Sequence, residues 1–227
     1  MKLVRKYAMS HAELAKRADR VKSLVERDKV PLSDYGYPAD LAEIIQTKTD
    51  EFKAMLPDMY WAGLFSLASQ KKDDVRAELE ADLKEIRFKV KLALGIKCRY
   101  YGLFHFKGLF RQKDQELLAY SKHICETVEE HMASLLQNRL STDLVKHTRG
   151  LSVRFEEAMD KQQKAKAVRE QQRLVRHDMS NALYDLISEV CNVGKHIWLN
   201  KNKAFFHDYV MYSCSKPTRH PHVEHKS

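Results

Sequence analysis

The sequence predicts an all-α protein in which two related three-helix units pack as a helical bundle, and three observations carry that reading. Apolar residues recur at helical steps of three and four along most of the chain. Seven Gly and five Pro in 227 residues are too few for an all-β chain full of turns. The stretch from Val75 to Phe110 is echoed later, which sets an internal repeat of about 103 residues. Within it, Val75, Leu79, Leu83 and Ile86 return at a shift of 104 as Met179, Leu183, Ile187 and Val190, with Leu94 falling on Trp198. Phe104-His105 and Leu109-Phe110 return at a shift of 102 as Phe206-His207 and Met211-Tyr212.

In chain order, the first helix opens near Ser10, where Ser10-x-x-Glu13 can form a capping box. Leu14, Ala18, Val21 and Val25 make its apolar face. Lys29 to Pro38 reads as a connection, since Pro31, Ser33, Asp34, Gly36 and Pro38 disfavour helix. A second helix carries Leu41, Ile44, Ile45, Phe52, Met55 and Leu56 on one side, and Pro57 kinks or ends it. The third runs through Val75 to Leu94, with Gly95 as a left-handed terminator. A shift of 103 then maps Leu14, Val21 and Val25 to Leu117, Ile124 and Val128, and Asp40, Leu41 and Phe52 to Asp143, Leu144 and Phe155. The expected units are therefore 1–110 and 111–212, followed by a disordered tail, 213–227.

Near the end of the second unit, Arg173, Arg176, Leu183, Val190, Gly194 and Trp198 precede Lys203-Ala204 and Asp208-Tyr209-Val210. This segment resembles the closing part of uncharacterised two-copy helical proteins of Bacteroidetes bacteria. The resemblance covers about the last third of the chain and implies an all-helical bundle. It carries over no activity, substrate or catalytic residue.

Composition limits the function classes. Lys and Arg exceed Asp and Glu by 40 to 31, a net charge of +9, which permits attraction to phosphate or anionic lipid without requiring it. Cys98, Cys125, Cys191 and Cys214 lie far apart with no C-x-x-C pair, as expected for free thiols in a reducing compartment. Met1 to Lys6 is basic, but no long apolar run follows it, so no signal peptide is expected. Met59 to Gln70, the longest uncharged stretch, has 12 residues, where a membrane span needs about 20. A soluble, cytoplasmic protein is expected.

Chemical motifs are scarce. There is no Glu-x-x-His step of a di-metal bundle, no glycine-rich phosphate loop and no G-x-S-x-G elbow. His123, Glu126 and Glu129 share a stripe, but they read as the solvated face opposite Ile124, Val128, Met132 and Leu135. His177-Asp178 and the scattered serines define no triad, and His220, His222 and His225 follow Pro217 in the tail. No catalytic residue, metal site or cofactor is expected, and the chain reads as a binding protein rather than an enzyme.

Two departures from the repeat are the candidate sites. Lys84 to Lys113 holds nine Lys and Arg against the single acid Glu85, interleaved with Tyr100, Tyr101, Phe104, Phe106 and Phe110. Cations beside aromatic faces can hold phosphates and stack on bases. Arg87, Lys91, Lys97 and Arg99 are the candidate nucleic-acid contacts, joined by a helical stripe of Lys166, Arg169, Arg173 and Arg176. The other departure is apolar: Met59, Trp61, Leu64, Phe65 and Leu67 map at 103 to Gln162, Lys164, Ala167, Val168 and Glu170. Steps of two, three and one spread these apolar residues around a helix, so part of the surface faces outward. Met59, Trp61, Leu64 and Phe65 are the candidate contacts with a protein partner or a second copy of the chain, and burial of the same tip against the other unit is the competing reading. That is the first reading, nucleic-acid binding is the alternative, and an enzyme whose active site is assembled from residues distant in sequence is the third.

Overall fold

A computed structural model of the chain describes residues 4–131 and 140–212. The regular elements among the described residues are all helical, with no strand. In order they are α1 (His11–Arg27), α2 (Lys29–Ser33), α3 (Leu41–Ala54), α4 (Asp58–Leu94), α5 (Asp114–Glu130), α6 (Thr142–Trp198) and α7 (Lys203–Asp208). Two 3₁₀ turns, Arg99–Phe104 and Leu109–Arg111, lie between α4 and α5. The expected tail, Cys214, Met132 and Leu135 lie outside the described residues.

Local chemistry sets the ends of these elements. Ser10 Oγ accepts from the Glu13 amide at 3.1 Å, which is half of the expected capping box. Glu13 does not reach back; its carboxylate pairs with Arg17 instead. The connection after α1 contains a five-residue helix that sequence reading treated as irregular. Pro31 is its third residue, within the first turn, where a missing amide costs no hydrogen bond. Pro57 ends the preceding helical run and stands as N-cap of α4, and Gly95 closes α4 with φ of 70°.

Contacts divide the chain into two compact units. One joins the residues up to Met55 with those from Arg173 onward, and the other is Leu56–Gln172. In the first, Leu14, Ala18, Val21 and Val25 of α1 and Leu41, Ile45 and Phe52 of α3 pack on Leu183, Ile187 and Val190 of α6. Buried Asp28 pins the end of this core. It accepts from Trp198 Nε1 at 2.8 Å, Tyr209 Oη at 2.8 Å and Arg27 Nε at 2.9 Å. Burial alone would raise its carboxyl, but the donors Arg27, Tyr209 and Trp198 hold it below the usual carboxylate range. The Tyr209 ring covers Gly194 so closely that a Cβ there would lie 2.4 Å from it.

In the second unit, Leu79, Leu83, Ile86 and Val90 of α4 pack with Leu117, Ile124 and Val128 of α5 and Val145, Leu151 and Phe155 of α6. Phe104, Phe106 and Leu109 close one end. Lys72 and Arg76 of α4 both hold Asp114 at the N-terminus of α5, and Arg76 also donates to the Gln112 carbonyl at 2.9 Å. The buried hydroxyls of Ser121 and Ser152 pair at 3.0 Å.

These packing units differ from the expected 1–110 and 111–212 in one respect. Residues Leu79 to Val90 pack with α5 and the start of α6, while Leu183 to Val190 pack with α1 and α3. The cause is helix length. α4 runs unbroken for 37 residues, and at 1.5 Å per residue it delivers Leu79 about 30 Å along the axis from Asp58. An unbroken helix cannot turn back on the segment before it, so Leu79 to Val90 meet α5 and the start of α6 rather than α1 and α3.

Candidate interaction surfaces

The first candidate surface forms where α4 and α6 run side by side in the second unit. Asp58 meets Arg169 at 3.3 Å, Ser69 meets Gln162 at 2.9 Å and Glu78 meets Arg154 at 3.2 Å, so the two segments are antiparallel. On α4 the covered positions include Trp61, Phe65, Ala68, Lys72, Val75 and Leu79, flanked by Ala62, Ser69 and Arg76; on α6 they include Phe155, Ala158, Gln162, Ala165, Arg169 and Gln172, flanked by Met159. Both series alternate steps of three and four, the 3.5-residue period of a coiled-coil seam. Three of the six α6 positions are polar, which a hydrophobicity pattern does not reveal.

This seam separates the apolar candidates. Trp61 and Phe65 turn toward it and are half-buried, whereas Met59 is 83% and Leu64 41% exposed. Leu67, 57% exposed, and Tyr60 add to the outer surface. Leu64, Leu67, Ala68 and Val75 line a groove of about 600 Å³ with Ala158 of α6. Lys71, Asp74, Glu78, Arg154, Glu157 and Lys161 rim it with charges of both signs. An apolar floor between two helices with a mixed charged rim is the form that receives a third amphipathic helix.

A comparison with family models, curated proteins and solved structures finds no match. The functional reading therefore rests on the chain itself.

The second candidate surface is the basic stretch. Arg87, Lys91, Lys97 and Arg99 are all exposed, and none makes an ion pair among the described residues. The aromatic residues interleaved with them are not equally available. Phe104 and Phe106 are buried and stacked 5.5 Å apart, and Tyr101 and Phe110 pack partly against the same core. Of the five, Tyr100 alone is exposed. The exposed apolar residues beside the cations are instead Phe88, Leu92, Ile96 and Leu103, which sequence reading did not single out.

The α6 stripe is used by the fold. Arg169 pairs with Asp58, while Arg176 donates to the Met55 carbonyl at 3.0 Å and to His11 Nδ1 at 3.2 Å. Arg169 lies in the second unit and Arg176 in the first. Arg173 is exposed. Arg169 and Arg176 thus each satisfy acceptors within their own unit.

Reactive chemistry is sparse. No group of three His, Cys, Asp or Glu among the described residues is placed to hold a metal ion. His123 Nε2 meets the Leu103 carbonyl at 2.9 Å and Glu129 pairs with Arg149, so the expected stripe is occupied locally. Burial pushes the Cys125 and Cys191 thiols up to about 11, away from thiolate chemistry. No described helix is long and apolar enough to cross a membrane.

Proposed function

We propose that the protein is a non-catalytic, cytoplasmic helical interaction protein whose α4–α6 groove takes a helix from a protein partner or a second copy of the chain. The observation that carries this reading is the pair of exposed leucines, Leu64 and Leu67, that lines that groove, with Met59 exposed further round the same helix. Groove and rim supply what a docked helix needs: apolar anchors Leu64, Leu67 and Ala68 at i, i+3 and i+4, and charges to set its register. Leu64 and Leu67 are already about half covered, so burying the remainder of each is worth about 1 kcal/mol.

Leu64→Glu with Leu67→Glu tests it, since both side chains are exposed and neither belongs to a buried core. The double variant keeps its helical dichroism and loses capture or self-association by on the order of a hundredfold. Unchanged association in sedimentation and pull-down overturns the reading.

We also read the chain as two related three-helix copies whose third helices are exchanged, and several matched details support that. Thr49 and Ser152, 103 residues apart, each donate to the carbonyl four residues earlier. Lys72 holds Asp114 at one helix start, and Arg176, 104 residues after Lys72, holds His11 at the matching start. Resemblance to two-copy proteins of Bacteroidetes bacteria agrees with this construction.

A further inference from the structure

We infer that the end of α4 and the chain after it form a docking face for an anionic phospholipid surface, separate from the α4–α6 groove. Phe88 and Leu92 are 55% and 63% exposed and lie one turn apart. Leu83, Ile86 and Val90 define the buried stripe of the same helix, and at 100° per residue Phe88 and Leu92 fall on the opposite side. α4 therefore carries a second apolar stripe that its own core does not use. Ile96, 61% exposed, continues the apolar run just after Gly95, and Tyr100 and Leu103 are exposed beyond it.

Charge selects the occupant. From Ile86 through Lys113 the chain has no Asp or Glu, and Arg87, Lys91, Lys97 and Arg99 are exposed around the apolar run. The flanking acids are engaged, Glu85 by Lys89 and Asp114 by Lys72 and Arg76. An anionic surface is favoured, and a second copy presenting the same face is repelled. Side-chain type then separates lipid from nucleic acid. Phe88 and Tyr100 have π faces, but the other three exposed apolar side chains, Leu92, Ile96 and Leu103, have none for a base to stack on, whereas aliphatic side chains enter the headgroup boundary while neighbouring Lys and Arg meet phosphates.

The matching helix of the first unit gives an internal control. At a shift of 104, Phe88, Leu92, Ile96 and Tyr100 fall on Asn192, His196, Asn200 and Ala204. Buried positions are kept in type between the two helices, Leu83 with Ile187 and Ile86 with Val190, while the outward apolar run occurs once. A scaffold that accepts asparagine at these sites does not require Phe88 or Ile96 for folding.

The test is co-sedimentation of the full chain with vesicles of phosphatidylcholine alone or of equal phosphatidylcholine and phosphatidylserine. The protein sediments with the mixed vesicles, ignores the neutral ones and is released by salt. Phe88→Gln, Leu92→Gln and Ile96→Gln together keep the charge and reduce binding by on the order of tenfold per side chain. Arg87→Gln, Lys91→Gln and Lys97→Gln together keep the apolar run and reduce it by about fivefold per cation at low salt. Both variants retain wild-type dichroism, because all six side chains are exposed. Absence of sedimentation with mixed vesicles, or full binding by the Phe88 variant, overturns the proposal. Retention of polyuridine without vesicle binding also overturns it and makes the face a nucleic-acid surface.

Discussion

Gly194→Ala is the sharpest local test of how the first unit closes. In an ordinary helix interior this change stabilises by about 1 kcal/mol, because alanine restricts the unfolded chain and favours helix. Here the new Cβ would lie 2.4 Å from Tyr209 Cδ1 and Cε1 and 2.6 Å from Cγ, so the ring must move. Tyr209 is buried and donates to Asp28 at 2.8 Å. Moving it strips a buried carboxylate of one of its donors. Overpacking costs about 1 to 3 kcal/mol, and a hydrogen bond to a charged group about 1.5 to 3. After the helix gain, the net expectation is a loss of about 1.5 to 5 kcal/mol. Urea unfolding followed by dichroism measures it, and a double-mutant cycle assigns it. In a Tyr209→Ala background, Gly194→Ala becomes neutral or stabilising, since the obstructing ring is gone. Stabilisation by Gly194→Ala in the otherwise native chain would refute the reasoning.

Other perturbations follow from the same packing. Leu83→Ala and Ile187→Ala each remove a fully buried aliphatic side chain and lower stability by about 2 to 5 kcal/mol in denaturant titrations. The two effects add within experimental scatter, because the residues belong to different cores. Asp28 is held below its ordinary value in the folded state, so its contribution is present above the unfolded pKa of about 4 and is lost as pH falls through the lower folded value. His11 is also lowered, by burial and by the nearby charges of Arg5, Arg176 and His177. The folded chain binds this proton less readily than the unfolded one, so stability declines as pH drops through about 6.5 toward the lower folded value. Thermal melts from neutral to acid pH show both losses, and His11→Asn removes the earlier one.

Much of the fold was legible because its signals are local. Ser10, Pro57 and Gly95 stand at helix ends for reasons that a few residues determine, and the ladder Leu79, Leu83, Ile86 is a single-helix pattern. Partner choice between helices was not legible. Whether Leu83 packs on α1 or on α5 depends on α4 staying straight past Ser69, and periodicity does not report straightness. The polar α6 seam was hidden for a related reason: Gln162, Arg169 and Gln172 sit at covered positions but read as surface residues. Among the candidate contacts, Met59 and Leu64 emerged at the surface while Trp61 and Phe65 turned inward, a division that needs the position of α6. The row of Phe88, Leu92 and Ile96 could have been found by asking which apolar residues fall off the core stripe. Basic neighbours drew attention to charge instead.

Photo-crosslinking from the groove addresses the central claim most directly. Leu67, exposed beside the groove, is replaced by benzoylphenylalanine in the full chain, and exposed Glu51 of the other unit serves as the control site. Irradiation in cells is followed by mass analysis of adducts. The account predicts a discrete adduct from position 67 that the control lacks, at twice the chain mass for a second copy or at another defined mass for a protein partner. Absence of an adduct from position 67, or the same adducts from both positions, would contradict it.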